Sequence, residues 1–159
     1  MRERLAALLL AALALGGARC GAGEEPAAEP GLAVRLALHD ARGNEARTFA
    51  AGAPIHLRIE LENESATSAS LRFSSGRTYD AVILAEGGDP VWHWSDGRYF
   101  TQAFTEIELG PGEVRRFGLV CELEPEGRPV LPPGRYRAVA VIPGVGSELH
   151  SPPVSLQIR

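Results

Sequence analysis

An all-β fold, an immunoglobulin-like antiparallel β-sandwich of about seven to nine strands, is what this sequence predicts. Three observations carry the prediction. Apolar residues recur at every second position in several short segments, Gly, Pro, Asn and Asp clusters separate those segments, and beyond residue 19 no stretch repeats apolar residues at helical spacing. The chain of 159 residues is long enough for one domain with a real core.

In chain order, Arg2 and Arg4 precede an unbroken Leu/Ala run over residues 5–15, which is too short to cross a bilayer as a helix. Gly16, Gly17 and Ala18 follow, then Arg19 and Cys20. This is the layout of an export signal peptide over 1–19, lipoprotein-like, with cleavage before Cys20 and lipid attachment at Cys20. Arg19 stands where a small residue is usual, and Gly16 and Ala18 offer an ordinary cleavage site, so plain secretion stays open. The expected location is extracytoplasmic: lipid-anchored to the bacterial membrane in the periplasm or at the cell surface, otherwise secreted. Residues 20–31 are Ala, Gly, Glu and Pro without periodicity and read as a flexible tether. The β-sandwich domain is then 32–159.

Within it, Leu32, Val34, Leu36 and Leu38 alternate with Arg35 and His39, and Ile55, Leu57, Ile59 and Leu61 with His56, Arg58, Glu60 and Glu62. Such alternation marks half-buried strands with one wet face. Further strands are expected over 69–73, 78–85, 90–94, 106–109, 113–123, 135–142 and 154–158. The punctuation between them includes Gly43-Asn44, Gly52-Ala53-Pro54, Asn63 to Ser65, Pro111-Gly112, Pro132-Pro133-Gly134 and Gly144 to Ser147. Tyr136, opening a late strand after Pro-Gly-Arg, matches by analogy the tyrosine that ties a sandwich corner to the backbone.

The formal net charge is −4, and the leader holds three of the 16 cations and one of the 20 acids, leaving −6 on the remainder. An acidic surface without a basic cluster argues against nucleic acid and anionic lipid as partners, so membrane contact is expected through the lipid anchor only. Cys121 falls on the same alternating face as Phe117, Leu119 and Leu123, which makes it a core thiol; if Cys20 is not lipidated, a Cys20–Cys121 disulfide is the other option.

Both tryptophans lie in one stretch, Trp92-His93-Trp94-Ser95-Asp96-Gly97-Arg98-Tyr99-Phe100-Thr101-Gln102, preceded by Ser75-Gly76-Arg77-Thr78-Tyr79-Asp80. Ser95 to Arg98 reads as a tight turn in which Gly97 accepts a positive φ. Trp92 and Trp94 alternate and share a face, either as anchors for a protein partner or as plugs in the core. Asp80, Tyr79, Thr101 and Gln102 are structural candidates, with Asp80 positioned to accept hydrogen bonds from the 95–101 corner and Thr101 and Gln102 to complete the same polar network.

These motifs resemble the BsuPI family of intracellular proteinase inhibitors, in which Ser-Gly-x-x-Tyr-Asp is followed by Val-Trp-x-Trp-Ser-x-Gly-x-x-Phe-Thr-Gln. The likeness extends through Leu-Gly-Pro-Gly-Glu (109–113) and Pro-Pro-Gly-Arg-Tyr-Arg (132–137), covering roughly 55–142. Where the family often has an aromatic after Asp80, this chain has Ala81. The resemblance implies a non-catalytic proteinase inhibitor, and the leader implies an extracytoplasmic target instead of an intracellular one. Trp92, Trp94, Ser95, Asp96, Gly97, Arg98, Tyr99 and Phe100 are the candidate protein-binding residues, because a stiff corner loses little entropy on docking. The competing reading is a structural or adhesive module of an envelope lipoprotein, without a protease target. A monomer is expected.

Enzyme chemistry is not expected: there is no Gly-x-Ser-x-Gly, His-Glu-x-x-His or Cys-x-x-Cys. His39, His56, His93 and His150 are scattered in sequence, and no metal or cofactor is expected; a third reading is a metal or ligand carrier using His93 with surface carboxylates. Asn63-Glu64-Ser65 spells a glycosylation sequon, read as accidental beside a bacterial leader.

Overall fold

The computed structural model describes residues 31–122 and 131–159. The expected signal peptide, Cys20 and almost all of the expected tether fall outside these, as do the expected strand's end at Leu123 and the fate of Cys20.

Eleven strands and no helix make up the described chain: β1 (Leu32–His39), β2 (Thr48–Phe49), β3 (Ile55–Asn63), β4 (Ala69–Phe73), β5 (Asp80–Ala85), β6 (Pro90–His93), β7 (Thr105–Leu109), β8 (Val114–Cys121), β9 (Gly134–Gly144), β10 (Ser147–His150) and β11 (Val154–Ile158). The all-β sandwich prediction holds. The strand number exceeds the expected seven to nine because β2 and β10, of two and four residues, are too short to show a period. Residues 144–147, expected to be only a turn, close a hairpin in which Ser147 pairs with Gly144.

One sheet has the order β1-β3-β8 and the other β2-β11-β9-β5-β6, with β10 beside β9. Pairing is antiparallel except for β2 with β11. Val34, Leu36, Leu38, Leu57, Ile59, Leu61 and Leu119 of the first sheet and Ala81, Ile83, Ala138, Ala140, Ile142, Leu156 and Ile158 of the second are buried between them. The alternation seen in the sequence is thus the inward face of each strand. Each large aliphatic residue so buried contributes about 1.5–3 kcal/mol.

A third, two-stranded pair, β4 with β7, continues the β3–β8 ribbon beyond an interruption at 64–68 and 110–113. Asn63, fully buried, holds that interruption. Its Nδ2 donates to the carbonyls of Thr67 (2.7 Å), Leu109 (3.0 Å) and Gly110 (3.2 Å), and its Oδ1 accepts the N–H and hydroxyl of Ser65 at 3.0 and 2.7 Å. The sequon spelling therefore has a structural reason: the amide is a buried joint, inaccessible to modification in the folded chain.

Cys121 is a free, buried thiol facing the same core as Leu119, and burial pushes its pKa up from 9.0 to about 12. Ala81, where an aromatic is common in the family resembled, is buried directly opposite the equally buried Ala140.

Candidate functional site

The two sequence motifs meet at the open edge of the sandwich, where β8 borders one sheet and β6 the other. Asp80 begins β5 and is buried. Its Oδ1 accepts the N–H of Ala81 at 2.7 Å and of Ser95 at 3.1 Å, while its Oδ2 takes Arg77 Nη1 at 3.2 Å. Arg77 also donates to Ser95 Oγ at 3.3 Å, closing a loop of contacts between 75–80 and the corner. Trp94 N–H donates to Ala81 O at 2.9 Å, so the chain stays registered with β5 one residue past the end of β6.

Gly76 N–H donates to Thr101 O at 2.9 Å, and a Cβ on Gly76 would lie 2.5 Å from Thr101 Oγ1. Only glycine allows this approach without displacing Thr101. Gln102 turns outward and donates to Phe100 O at 3.3 Å, outside the Asp80 network that the sequence suggested for it. Thr101 enters that region through its backbone carbonyl.

Behind the corner stands an aromatic stack. Phe117 of β8 stacks on Tyr79 with ring centroids 4.6 Å apart, Tyr79 stacks on Trp94 at 5.0 Å, and Phe100 tilts against Trp94 at 5.9 Å. The stack spans from one sheet to the other and plugs the edge, each contact worth about 0.5–1.5 kcal/mol beyond area burial. Trp92 and Trp94 are both half-buried and packed against the core, so both tryptophans have a packing role.

The corner itself is a turn in which Arg98 N–H donates to Ser95 O at 3.1 Å and Gly97 has φ 71°. Arg98 folds back: its Nε donates to Trp94 O at 2.7 Å and its guanidinium lies 4.6 Å from the Trp94 ring centroid. Asp96, Gly97 and Tyr99 remain at the surface, and Tyr99 is 100% exposed. A fully exposed tyrosine beside an immobilised arginine is a large amphipathic group on a rigid mount.

Tyr136 lies away from this corner, donating its hydroxyl to Pro132 O at 2.7 Å. The residues that sequence reasoning passed over are Arg77 and Phe117. Arg77 stands three positions before Asp80, a spacing at which a partner is conceivable, whereas Phe117 carried no sign that it would reach across to Tyr79. Among the described residues no group of three or more His, Cys, Asp or Glu side chains is placed to hold a metal ion. No helix of the described chain is long and apolar enough to cross a membrane.

Residues 43–146 match the profile of the BsuPI family, described as intracellular proteinase inhibitor. No curated protein matches the chain in sequence. Among solved structures, the C-terminal domain of wzt aligns with TM-score 0.52 and 16% identity over 83% of this chain and 75% of that one. The Pseudomonas fluorescens alkylpurine DNA glycosylase AlkC, bound to DNA containing an abasic site analog, aligns with TM-score 0.46 and 16% identity over 83% of this chain and 31% of its own. A β-glucosidase from Listeria innocua gives 0.41 and 12% identity, over 80% of this chain and 16% of its own. The first of these likenesses is one of fold, which many functions share.

Proposed function

Because the chain belongs to the BsuPI family of intracellular proteinase inhibitors, we propose that it is a non-catalytic binding domain that inhibits a protease outside the cytoplasm through the 95–100 corner. The observation that carries this reading is Tyr99, 100% exposed on a turn whose flanks are fixed by Asp80 and Trp94. Such a mount presents side chain and backbone without a large ordering cost. Arg98 is held against Trp94, which leaves Tyr99 and Asp96 as the groups offered to a partner. The extracytoplasmic location rests on the leader over 1–19, with Cys20 as the lipid anchor and 20–31 as the tether of a monomer.

The test is residual activity of a panel of secreted serine and metalloproteases incubated with the purified chain, beside Asp96→Ala and Tyr99→Ala variants. Saturable inhibition weakened by these changes, with folding intact, supports the reading. A folded chain that is inert toward every protease, or is simply digested, makes the structural or adhesive envelope module the better description.

A further inference from the structure

The histidines scattered in sequence are not all apart in space. His39 ends β1, His56 is the second residue of β3, and the antiparallel register makes them direct partners. Val34, Leu36 and Leu38 on β1 and Ile55, Leu57 and Ile59 on β3 fill the core, so His39 and His56 both lie on the outward face, each half-buried. Directly opposed residues have Cβ atoms about 4.5–5.5 Å apart. From that separation two imidazoles can turn their ring nitrogens toward one ion, at the metal–nitrogen distance of about 2.0–2.1 Å that zinc adopts.

The surroundings favour this. The pair lines an outward groove of about 410 Å³ with Asp40, Arg42, Arg58 and Gly118. Gly118, beside Arg58 in the register, would have no atom within 4 Å of an added Cβ, so the floor is open and admits water ligands. His39 is fixed on its far side as well. It bridges to Glu45, and the intervening turn is locked by Asp40 N–H to Asn44 O and Gly43 N–H to Asp40 O, both 2.9 Å. The Asp40 carboxylate accepts the N–H groups of Arg42 and Asn44 through Oδ1 at 2.8 and 2.9 Å. That anion offsets part of the positive charge of Arg42 and Arg58, which otherwise opposes a cation here.

We propose that His39 and His56 form a cross-strand clamp for a first-row divalent cation, Cu²⁺ or Zn²⁺, with water completing the coordination. Imidazole suits both ions, and Cu²⁺ is the tighter of the two. The clamp would join β1, at the edge of its sheet, to β3. It is independent of the protease reading.

The test is calorimetric titration of the whole chain with Cu²⁺ and with Zn²⁺ in a non-coordinating buffer, for the wild type and for His39→Ala, His56→Ala, His93→Ala and His150→Ala. One ion per chain is expected, with affinity falling at least about tenfold in each of the first two variants and unchanged in the last two. In parallel, Cu²⁺ added to the wild type should broaden the amide resonances around His39 and His56 before any others, a readout that needs no variant to fold. Binding of undiminished strength in a folded His39→Ala/His56→Ala double variant, broadening centred elsewhere, or no binding at stoichiometric metal would each overturn the proposal.

Discussion

Asp80 accepts the backbone N–H of Ser95 at 3.1 Å, and through this bond a single buried carboxylate joins the beginning of β5 to the turn beyond β6. The same side chain anchors Ala81 N–H and Arg77, so its removal takes the acceptor from two backbone donors, while Arg77 keeps Ser95 Oγ and solvent.

Asp80→Ala is therefore expected to cost about 2–4 kcal/mol, since donors left unpaired near the core lose their desolvation compensation. Asp80→Asn keeps an acceptor oxygen and should lose about 1–2 kcal/mol. Urea denaturation followed by tryptophan emission measures both. Equal stabilities for wild type and Asp80→Ala would show that the bond carries no weight.

Asn63→Ala removes the donor and acceptor that hold the interruption between β3–β8 and β4–β7, and should cost about 2–4 kcal/mol. Asn63→Asp should be no better, because a carboxylate would face the carbonyls of Leu109 and Gly110. Thermal unfolding of the two variants settles the point, and a Tm within a degree of wild type for either contradicts it.

Trp94 and Tyr99 should separate stability from binding. Trp94→Ala breaks the stack with Tyr79 and Phe100 and is expected to lose about 2–3 kcal/mol. Tyr99→Ala, at a fully exposed position, should stay within about 0.5 kcal/mol of wild type and yet weaken protease inhibition at least about tenfold. Denaturation and inhibition measured on the same samples give both numbers; unchanged inhibition by Tyr99→Ala moves the contact surface away from this corner.

Cys121 should resist alkylation at pH 8 while the chain is folded and react fully in denaturant, because burial raises its pKa from 9.0 to about 12. The raised value means that the folded chain holds the thiol proton more tightly than the unfolded one. The stability this supplies is complete below the unfolded thiol's pKa and is lost as pH climbs from about 9 toward about 12. Cys121→Ala should flatten that part of the stability profile. A thiol that reacts rapidly in the folded chain at pH 8 would contradict the burial.

Much of this molecule was legible in its sequence. The alternation at 32–38 and 55–61 identified both the strands and their inward faces, since a period of two follows from the pleat itself. The corner at 95–98 was readable because turn chemistry is local: Gly97 takes φ 71° for reasons contained within four residues. β2 and β10 were not readable, because two or four residues define no period; Phe117 was passed over because its partner Tyr79 is distant in the chain, and Arg77 because three-residue spacing to Asp80 outside a helix does not by itself bring two side chains together.

The sequence by itself determined the fold class, the residues that face the core and the position of the turn. Only the tertiary structure decided that Asp80 meets Ser95, that Phe117 reaches Tyr79, that Asn63 is a buried joint and that His39 stands opposite His56. The physical reason is that backbone pairing is nearly blind to side-chain identity: a strand's own pattern fixes which face it buries, while its partner and register follow from how all the strands close one core together.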